Sequence, residues 1–516
     1  MDEKFLKQLK SVLDNEYNYS MTENGALGFA TAGNPLLDLN FAVSSFRNME
    51  DILVVRRFAK AFFYNKLLTL KWLFFAADVR GGMGERRLFR ICMQFLAVTE
   101  PQLAEKLIPL IPEYTRWDNL LCLLETPLKE PVCQFLKNQL DADMGAMKEG
   151  KSIGLCAKWM PSVNATSLRA KTYAKTLIQA FGMTAAQYRK MLSALRAYLK
   201  IVEVDMSKKD WAAIDYSAVP SRANLIYEDA FLRNDKARRT EYLKKLEAGE
   251  EKIHAGVLFP HDIVQKYVTD DFYSPQVKPL NATLEELWKA LPDYVEGEGN
   301  VICVADGSGS MSIRVGGSNT TGLSVANALA IYFAERATGV FHDCYLTFSD
   351  KPQLVDFSHC KTLRDKIATA LLHDEVANTN IQAVFNLLLK TAVQANMRQA
   401  DMPRTVLILS DMEFDMGVDF PIANGESMKH RLFEQIADQY AAAGYKLPRL
   451  VFWNICSRSM TVPLRQNDLG VALVSGFSPT TVKMVLSGKL DPLECLLEQL
   501  NSDRYAPVQE ALRGLL

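Results

Sequence analysis

No run of 18 apolar residues occurs in this 516-residue sequence, and its greasiest stretch, Leu67 to Val79, is broken by Lys71 and Asp78. That excludes an ordinary membrane-spanning helix. The first residues, Met1-Asp2-Glu3-Lys4, lack the cationic and apolar pattern of a secretory leader. The nine cysteines include no Cys-x-x-Cys pair, and the six histidines are scattered. A zinc site and a disulfide framework are therefore not expected, and the cysteines read as reduced core residues of a cytoplasmic protein. The Gly-rich run Arg80-Gly-Gly-Met-Gly-Glu-Arg-Arg87 has no following Gly-Lys-Ser/Thr, so it is not a Walker loop. Net charge is only −1, so any attraction to a polyanion must come from local patches.

One absence is local. From Lys151 to Val202 there are nine Lys or Arg and no Asp or Glu. Within it, Thr184–Ile201 reads as an amphipathic helix. Met191, Leu192, Leu195, Tyr198 and Leu199 fall on one face, with Arg189, Arg196 and Lys200 opposite. A solvated face ordinarily mixes signs, so the window reads either as plain surface or as a polyanion-facing one. The run from Arg80 to Arg87, with Arg90, is a second basic cluster. Its glycines either bare N–H groups to a phosphate or make a turn between helices.

What is present divides into two patterns. Residues 1–295 are predicted to be all-helical, with helices at Leu53–Asn65, Leu67–Ala77, Arg86–Val98, Trp117–Glu125, Pro131–Leu140 and Thr184–Ile201. Many helices of this length with short links point to helix pairs stacked in a HEAT-like array. Pro279, Pro292 and Glu296-Gly-Glu-Gly299 mark a linker. Residues 296–487 then alternate. Strands are expected at Val301–Ala305, Val340–Phe348, Gln353–Phe357, Thr405–Leu409, Leu450–Ile455 and Gly470–Val474. Helices are expected at Leu323–Ala337, Lys361–Leu371, Ile381–Ala395, Met428–Ala443 and Pro479–Leu486. Such alternation predicts a mainly parallel, Rossmann-like α/β sheet. Residues 488–516 read as a terminal helical segment that packs back on the first domain.

The chemistry gathers at Val301-Ile-Cys-Val-Ala-Asp306-Gly-Ser308-Gly-Ser310. A buried strand runs into a carboxylate, and two hydroxyls follow on a glycine-spaced loop. Thr379 precedes the helix Ile381–Ala395, and Thr405-Val-Leu-Ile-Leu-Ser-Asp411 is a second apolar strand ending in an aspartate. Loops at the carboxyl ends of parallel strands share one edge of the sheet. Asp306, Ser308, Ser310, Thr379 and Asp411 then offer oxygen ligands suited to Mg2+ or Mn2+. The bland alternative is that Ser308 and Ser310 merely cap a turn and Asp411 a helix. Glu413 lies close enough to tune the site.

The segment from about 298 to 485 resembles, through these residues, a von Willebrand factor A domain with a metal-ion-dependent adhesion site. The resemblance implies that Ser308, Ser310 and Thr379 bind the metal directly. Asp306 and Asp411 act through water, and one position stays open for a partner's carboxylate. A helical domain followed by such a domain is similar to the Ro/TROVE ribonucleoprotein family. Several stretches look like the related DUF2828 family: Asp78-Val-Arg-Gly-Gly-Met-Gly-Glu-Arg86, Arg116-Trp-Asp118, Ala157-Lys-Trp-Met-Pro-Ser162 with Asn164, Ile214-Asp-Tyr-Ser-Ala-Val-Pro-Ser-Arg222 and Phe259-Pro-His-Asp-Ile-Val264. This likeness implies a helical surface that binds small structured RNAs or single-stranded RNA ends. Arg80, Arg86, Arg87, Lys158, Arg169, Lys171, Lys175, Arg189, Arg196 and Lys200 are the cations such a surface would use. Trp159 and Tyr173 are either base-stacking or core.

The expected function is non-catalytic RNA binding, with the metal site docking a protein that offers an acidic side chain. The alternative is a metal-dependent protein-interaction scaffold. An aspartyl-nucleophile phosphatase is disfavoured, because Ser308 stands where a second acid is needed, and no nucleophile triad is evident.

Overall fold

The computed structural model describes residues 18–23, 27–269, 275–295, 300–373, 380–413, 436–462, 471–481 and 491–516. Thr379, residues 296–299 of the expected linker, and parts of the helices expected at Met428–Ala443 and Pro479–Leu486 lie outside that set. The chain forms two compact units. One joins residues 1–50 to 258–500, and the other joins 51–257 to 501–516. The sequence boundaries at 295 and 487 are therefore not where compactness divides the chain.

The first unit holds a two-stranded hairpin, β1 (Tyr19–Met21) and β2 (Leu27–Phe29), and a six-stranded sheet. The sheet strands are β3 (Val301–Asp306), β4 (Cys344–Phe348), β5 (Leu354–Asp356), β6 (Thr405–Ser410), β7 (Arg449–Asn454) and β8 (Val471–Ser475). Their order is β5-β4-β3-β6-β7-β8, with only β5 antiparallel. Every residue of β3 and β6 is buried, as expected of parallel strands covered on both faces. One face packs on the helix Ile381–Gln394 and on residues 436–442, through Val384, Phe385 and Tyr440. The buried helix Gly322–Arg336 packs on β3, β4 and β6, and against the helix Pro260–Tyr267.

Two segments expected in an all-helical domain belong to this unit instead. Phe29 and Val462 exchange both backbone hydrogen bonds, at 2.9 and 2.8 Å, which ties the hairpin to the loop after β7. The helix Pro35–Phe41 buries Leu36, Leu37, Leu39 and Phe41 and packs on β8. Farther along, Trp288 Nε1 donates to Glu335 Oε2 at 2.7 Å, and the Tyr294 amide donates to Tyr332 Oη at 3.1 Å.

The second unit is helical. Asp51–Tyr64, Lys66–Ala77 and Arg86–Thr99 pack on one another. Lys129–Lys148, Leu168–Ala180 and Ala185–Tyr198 follow, and then the pair Ser221–Asn234 and Lys236–Glu247. Trp117–Glu125 is a 3₁₀ helix rather than an α-helix. The terminal helix Ala506–Ala511 packs on Lys66–Ala77. Its anchor is Asp78, which is wholly buried. That carboxylate accepts from Arg504 Nε, from Arg504 Nη2 at 2.7 Å, from Tyr505 Oη at 3.2 Å and from the Arg80 amide at 2.9 Å.

The glycine-rich run after Asp78 is a turn, not a phosphate cradle. The amides of Gly82, Met83, Gly84 and Glu85 donate to the carbonyls of Asp78, Phe75, Asp78 and Ala76. A Cβ at Gly82 would overlap the Phe75 carbonyl oxygen, so only glycine allows this approach. None of the nine cysteines, all among the described residues, forms a disulfide, and seven are buried. Among the described residues no helix is long and apolar enough to cross a membrane.

Candidate metal centre and basic surface

The strand order reverses between β3 and β6: from β3 the chain moves outward to β4 on one side, and from β6 to β7 and β8 on the other. This is the topological switch point, where an open parallel sheet has a crevice at the carboxyl ends of its strands. Asp306 ends β3 and Asp411 follows β6, so the two carboxylates meet there. Both are buried.

Asp306 is held on both oxygens. Its Oδ1 accepts from the Ser308 amide at 2.9 Å, and its Oδ2 accepts from Ser410 Oγ at 2.5 Å. Ser308 Oγ and Ser310 Oγ lie 2.9 Å apart, so the two hydroxyls aim into one space. Asp411 Oδ1 accepts from the Glu413 amide at 3.1 Å. Its Oδ2 is buried without a hydrogen-bond donor and is met by Arg458 Nη1 at 3.3 Å. Met412, between Asp411 and Glu413, has φ +64, a left-handed conformation that a buried methionine seldom adopts.

Burial raises the pKa of Asp306, and the charge of Asp411 raises it further. Burial raises Asp411 as well. Two desolvated carboxylates facing each other favour a cation between them. Among the described residues no three His, Cys, Asp or Glu side chains group as metal ligands. The donor set is two carboxylates and two hydroxyls, which is an oxygen set for a hard ion. The site fits Mg2+ or Mn2+ to that extent. Thr379, the remaining expected ligand, lies outside the described residues, just before Asn380, which caps the helix Ile381–Gln394.

Beyond burial, the charge of Glu413 contributes to raising the pKa of Asp411, so Glu413 acts on the pair as expected, and its carboxylate is held by neighbouring loops. Its Oε1 accepts from Ser457 Oγ and from the amides of Arg458 and Ser459, at 3.2, 2.8 and 2.7 Å. Its Oε2 accepts from the Glu23 amide at 2.8 Å. Glu413 thus fixes the loop after β7 that carries Arg458, a residue sequence reasoning did not single out. The available signal was that β7 is another buried strand ending on the same edge.

The ten cations expected on a nucleic-acid surface separate into two groups, all in the helical unit. Arg80, Arg86, Lys171, Lys175, Arg189 and Lys200 are exposed and Lys158 is half-buried. Among the described residues none of these seven side chains has a hydrogen-bond or ion-pair partner. Three are engaged. Arg87 pairs with Asp51. Arg169 lies 3.4 Å from Glu125 and donates to Tyr173 Oη at 2.6 Å. Arg196 turns inward and donates to the carbonyls of Ala157 and Met160 at 2.9 and 2.7 Å. Tyr173 is buried, whereas Trp159 is half-buried under the guanidinium of Arg116, 4.0 Å from its ring centroid.

Comparison with known proteins gives three findings. Residues 300–509 match a family model described as Domain of unknown function (DUF7788). The chain is 28% identical over 531 residues to the uncharacterized protein L728 of Acanthamoeba polyphaga mimivirus, covering 95% of this chain and 89% of that protein. Residues 127–301 match the model described as Domain of unknown function (DUF2828). The DUF2828 likeness read from the sequence therefore stands over residues 127–301, with a DUF7788 segment following it.

Proposed function

We propose that this chain is a non-catalytic RNA-binding protein of Ro-like organisation. In this reading the HEAT-like helical unit binds small or misfolded RNA. The sheet unit, an adhesion-type A domain, holds Mg2+ or Mn2+ for partner docking. The observation that carries the RNA reading is the set of exposed cations with no acceptor among the described residues, above all Lys171, Lys175 and Arg189 in an acid-free window. Surface cations left unpaired by their own protein are what a phosphate backbone neutralises. The metal reading rests on the convergence of Asp306, Ser308, Ser310 and Asp411 at the switch point. A bound divalent ion would supply an open coordination position for a carboxylate from a partner.

Fluorescence anisotropy with a single-stranded and a hairpin RNA, at low and at physiological salt, tests the first part. Affinity that falls steeply with salt, and is lost in a Lys171→Glu, Lys175→Glu, Arg189→Glu variant, is expected. Absence of binding at low salt would overturn the RNA reading. The metal would then favour the scaffold reading, in which the same site docks an acidic protein segment. For the metal, Mg2+ or Mn2+ should raise the melting temperature, and Asp306→Ala should remove that rise.

A further inference from the structure

The helix Asp51–Tyr64 is anchored by one side and turns large apolar side chains outward on the other. Val54, Phe58, Ala61 and Phe62 are buried, and Phe58 packs on Phe62 and on Phe95 with ring centroids 6.0 and 6.1 Å apart. On the opposite side Ile52 is 63% exposed, Phe63 72% and Tyr64 60%, with Leu53 exposed beside them. Arg56 and Lys60 are exposed there too. We propose that this face binds an unpaired stretch of RNA, with Arg56 and Lys60 at its phosphates and Phe63 and Tyr64 stacked on its bases. The proposal rests on the RNA reading, and it places a strand contact on a helix that carries none of the ten cations expected from the sequence.

Charge selects the occupant. Residues 52–77 hold five Lys or Arg and no Asp or Glu. The one acid of the helix, Asp51, is paired with Arg87, and Glu100 is taken by Lys66 at 2.5 Å. Among the described residues Arg56 and Lys60 have no hydrogen-bond or ion-pair partner. The face is therefore cationic, and its complement is an anion.

The pattern within the face narrows that anion. At about 100° per residue, Arg56 and Lys60 lie between Ile52 and Phe63 on one flank and Leu53 and Tyr64 on the other. A helix that lies in an anionic membrane surface keeps its apolar strip unbroken and its cations at the margins. Here the cations run down the middle. Single-stranded RNA offers phosphates to the middle and the open faces of its bases to the flanks. A duplex hides those faces, so an unpaired stretch is the form that fits. The Phe63 ring is already braced for stacking: the buried Phe62 meets it edge to face, with centroids 5.7 Å apart and planes at 71°. A ring braced in this way gives up little freedom when a base stacks on it.

The test compares the full chain with two double variants, Phe63→Ala with Tyr64→Ala and Arg56→Gln with Lys60→Gln. Fluorescence anisotropy is measured with a single-stranded RNA and a blunt RNA duplex across a salt series. The replaced side chains point out of the fold, so melting should stay within about 2 °C of wild type. Loss of the aromatic pair should weaken single-strand binding at least about tenfold at an unchanged salt slope, because stacking releases no counterions. Loss of the cation pair should make the slope shallower by about 1.4, the share of two phosphates. Where the alanine variant melts lower, Phe63→Leu with Tyr64→Leu, which keeps apolar bulk and removes the aromatic faces, should lose binding alike. Single-strand binding unchanged in the aromatic variants rejects this face and leaves the RNA reading standing on Lys171 and Lys175. Loss in the aromatic variant, with binding kept by Lys171→Glu, Lys175→Glu, Arg189→Glu, upholds this face and overturns the acid-free window as the contact. No RNA bound by wild type overturns both. If the aromatic variant keeps RNA but loses co-sedimentation with phosphatidylserine vesicles, the occupant is a membrane and the proposal is rejected.

Discussion

Arg458 Nη1 lies 3.3 Å from Asp411 Oδ2 and 3.4 Å from the Ser310 carbonyl oxygen, so a guanidinium stands beside the carboxylates where a divalent ion is proposed. Arg458 is itself braced by Glu23, at 2.7 Å. It balances part of the charge that a cation would otherwise neutralise.

Arg458→Ala should therefore bind Mg2+ more tightly, by about tenfold for the removal of one competing charge. Its melting temperature without metal should fall, because Asp411 is left buried and unpaired. Titration calorimetry with Mg2+ checks the first point. Equal or weaker binding would show that the arginine does not compete.

Glu413→Ala should destabilise the sheet unit by about 3 kcal/mol, since three amides and a hydroxyl lose their acceptor. Denaturant unfolding measures it. A change within error would mean that water replaces the carboxylate at no cost.

Asp78→Ala leaves Arg504 and the Tyr505 hydroxyl without their buried acceptor. A loss of about 3–5 kcal/mol is expected for the helical unit. Deleting residues 501–516 should cost a comparable amount, and combining the two should add little, because both break the same ion pair on the buried Asp78 carboxylate. Additive losses would separate the two effects.

Arg196 and Lys175 are both basic residues of the acid-free window, yet they should behave oppositely. Arg196→Ala should lower the melting temperature, because its hydrogen bonds end on the Ala157 and Met160 carbonyls. Lys175→Ala should leave stability alone and make the salt slope of single-stranded RNA binding shallower by about 0.7, the share of one neutralised phosphate. If Arg196→Ala changes the slope and not the stability, that side chain faces the RNA rather than the carbonyls.

The strands of the sheet were legible because runs such as Val301–Ala305 and Thr405–Leu409 are continuous, apolar and β-branched, and each ends in a polar group. The observed β3 and β6 extend one residue beyond those ranges. The carboxylate pair was legible for the same reason, since sheet topology carries both strand ends to one edge. Arg458 was not, because its position depends on Glu413 gathering a loop from elsewhere in the chain. The unit boundaries were hidden too. Pro35–Phe41 has an ordinary helical pattern, and only its packing on β8 assigns it to the sheet. Arg189 and Arg196 look alike on a helical wheel, but one faces solvent and the other reaches backbone carbonyls.

The chain passes from one compact unit to the other at residues 50/51, 257/258 and 500/501. Asp78 leaves the ribosome 426 residues before Arg504, its ion-pair partner. Throughout synthesis of the sheet that aspartate has no partner from the terminal segment. The helical unit, whose residues 51–257 precede the sheet strands, is completed only by a segment that follows them.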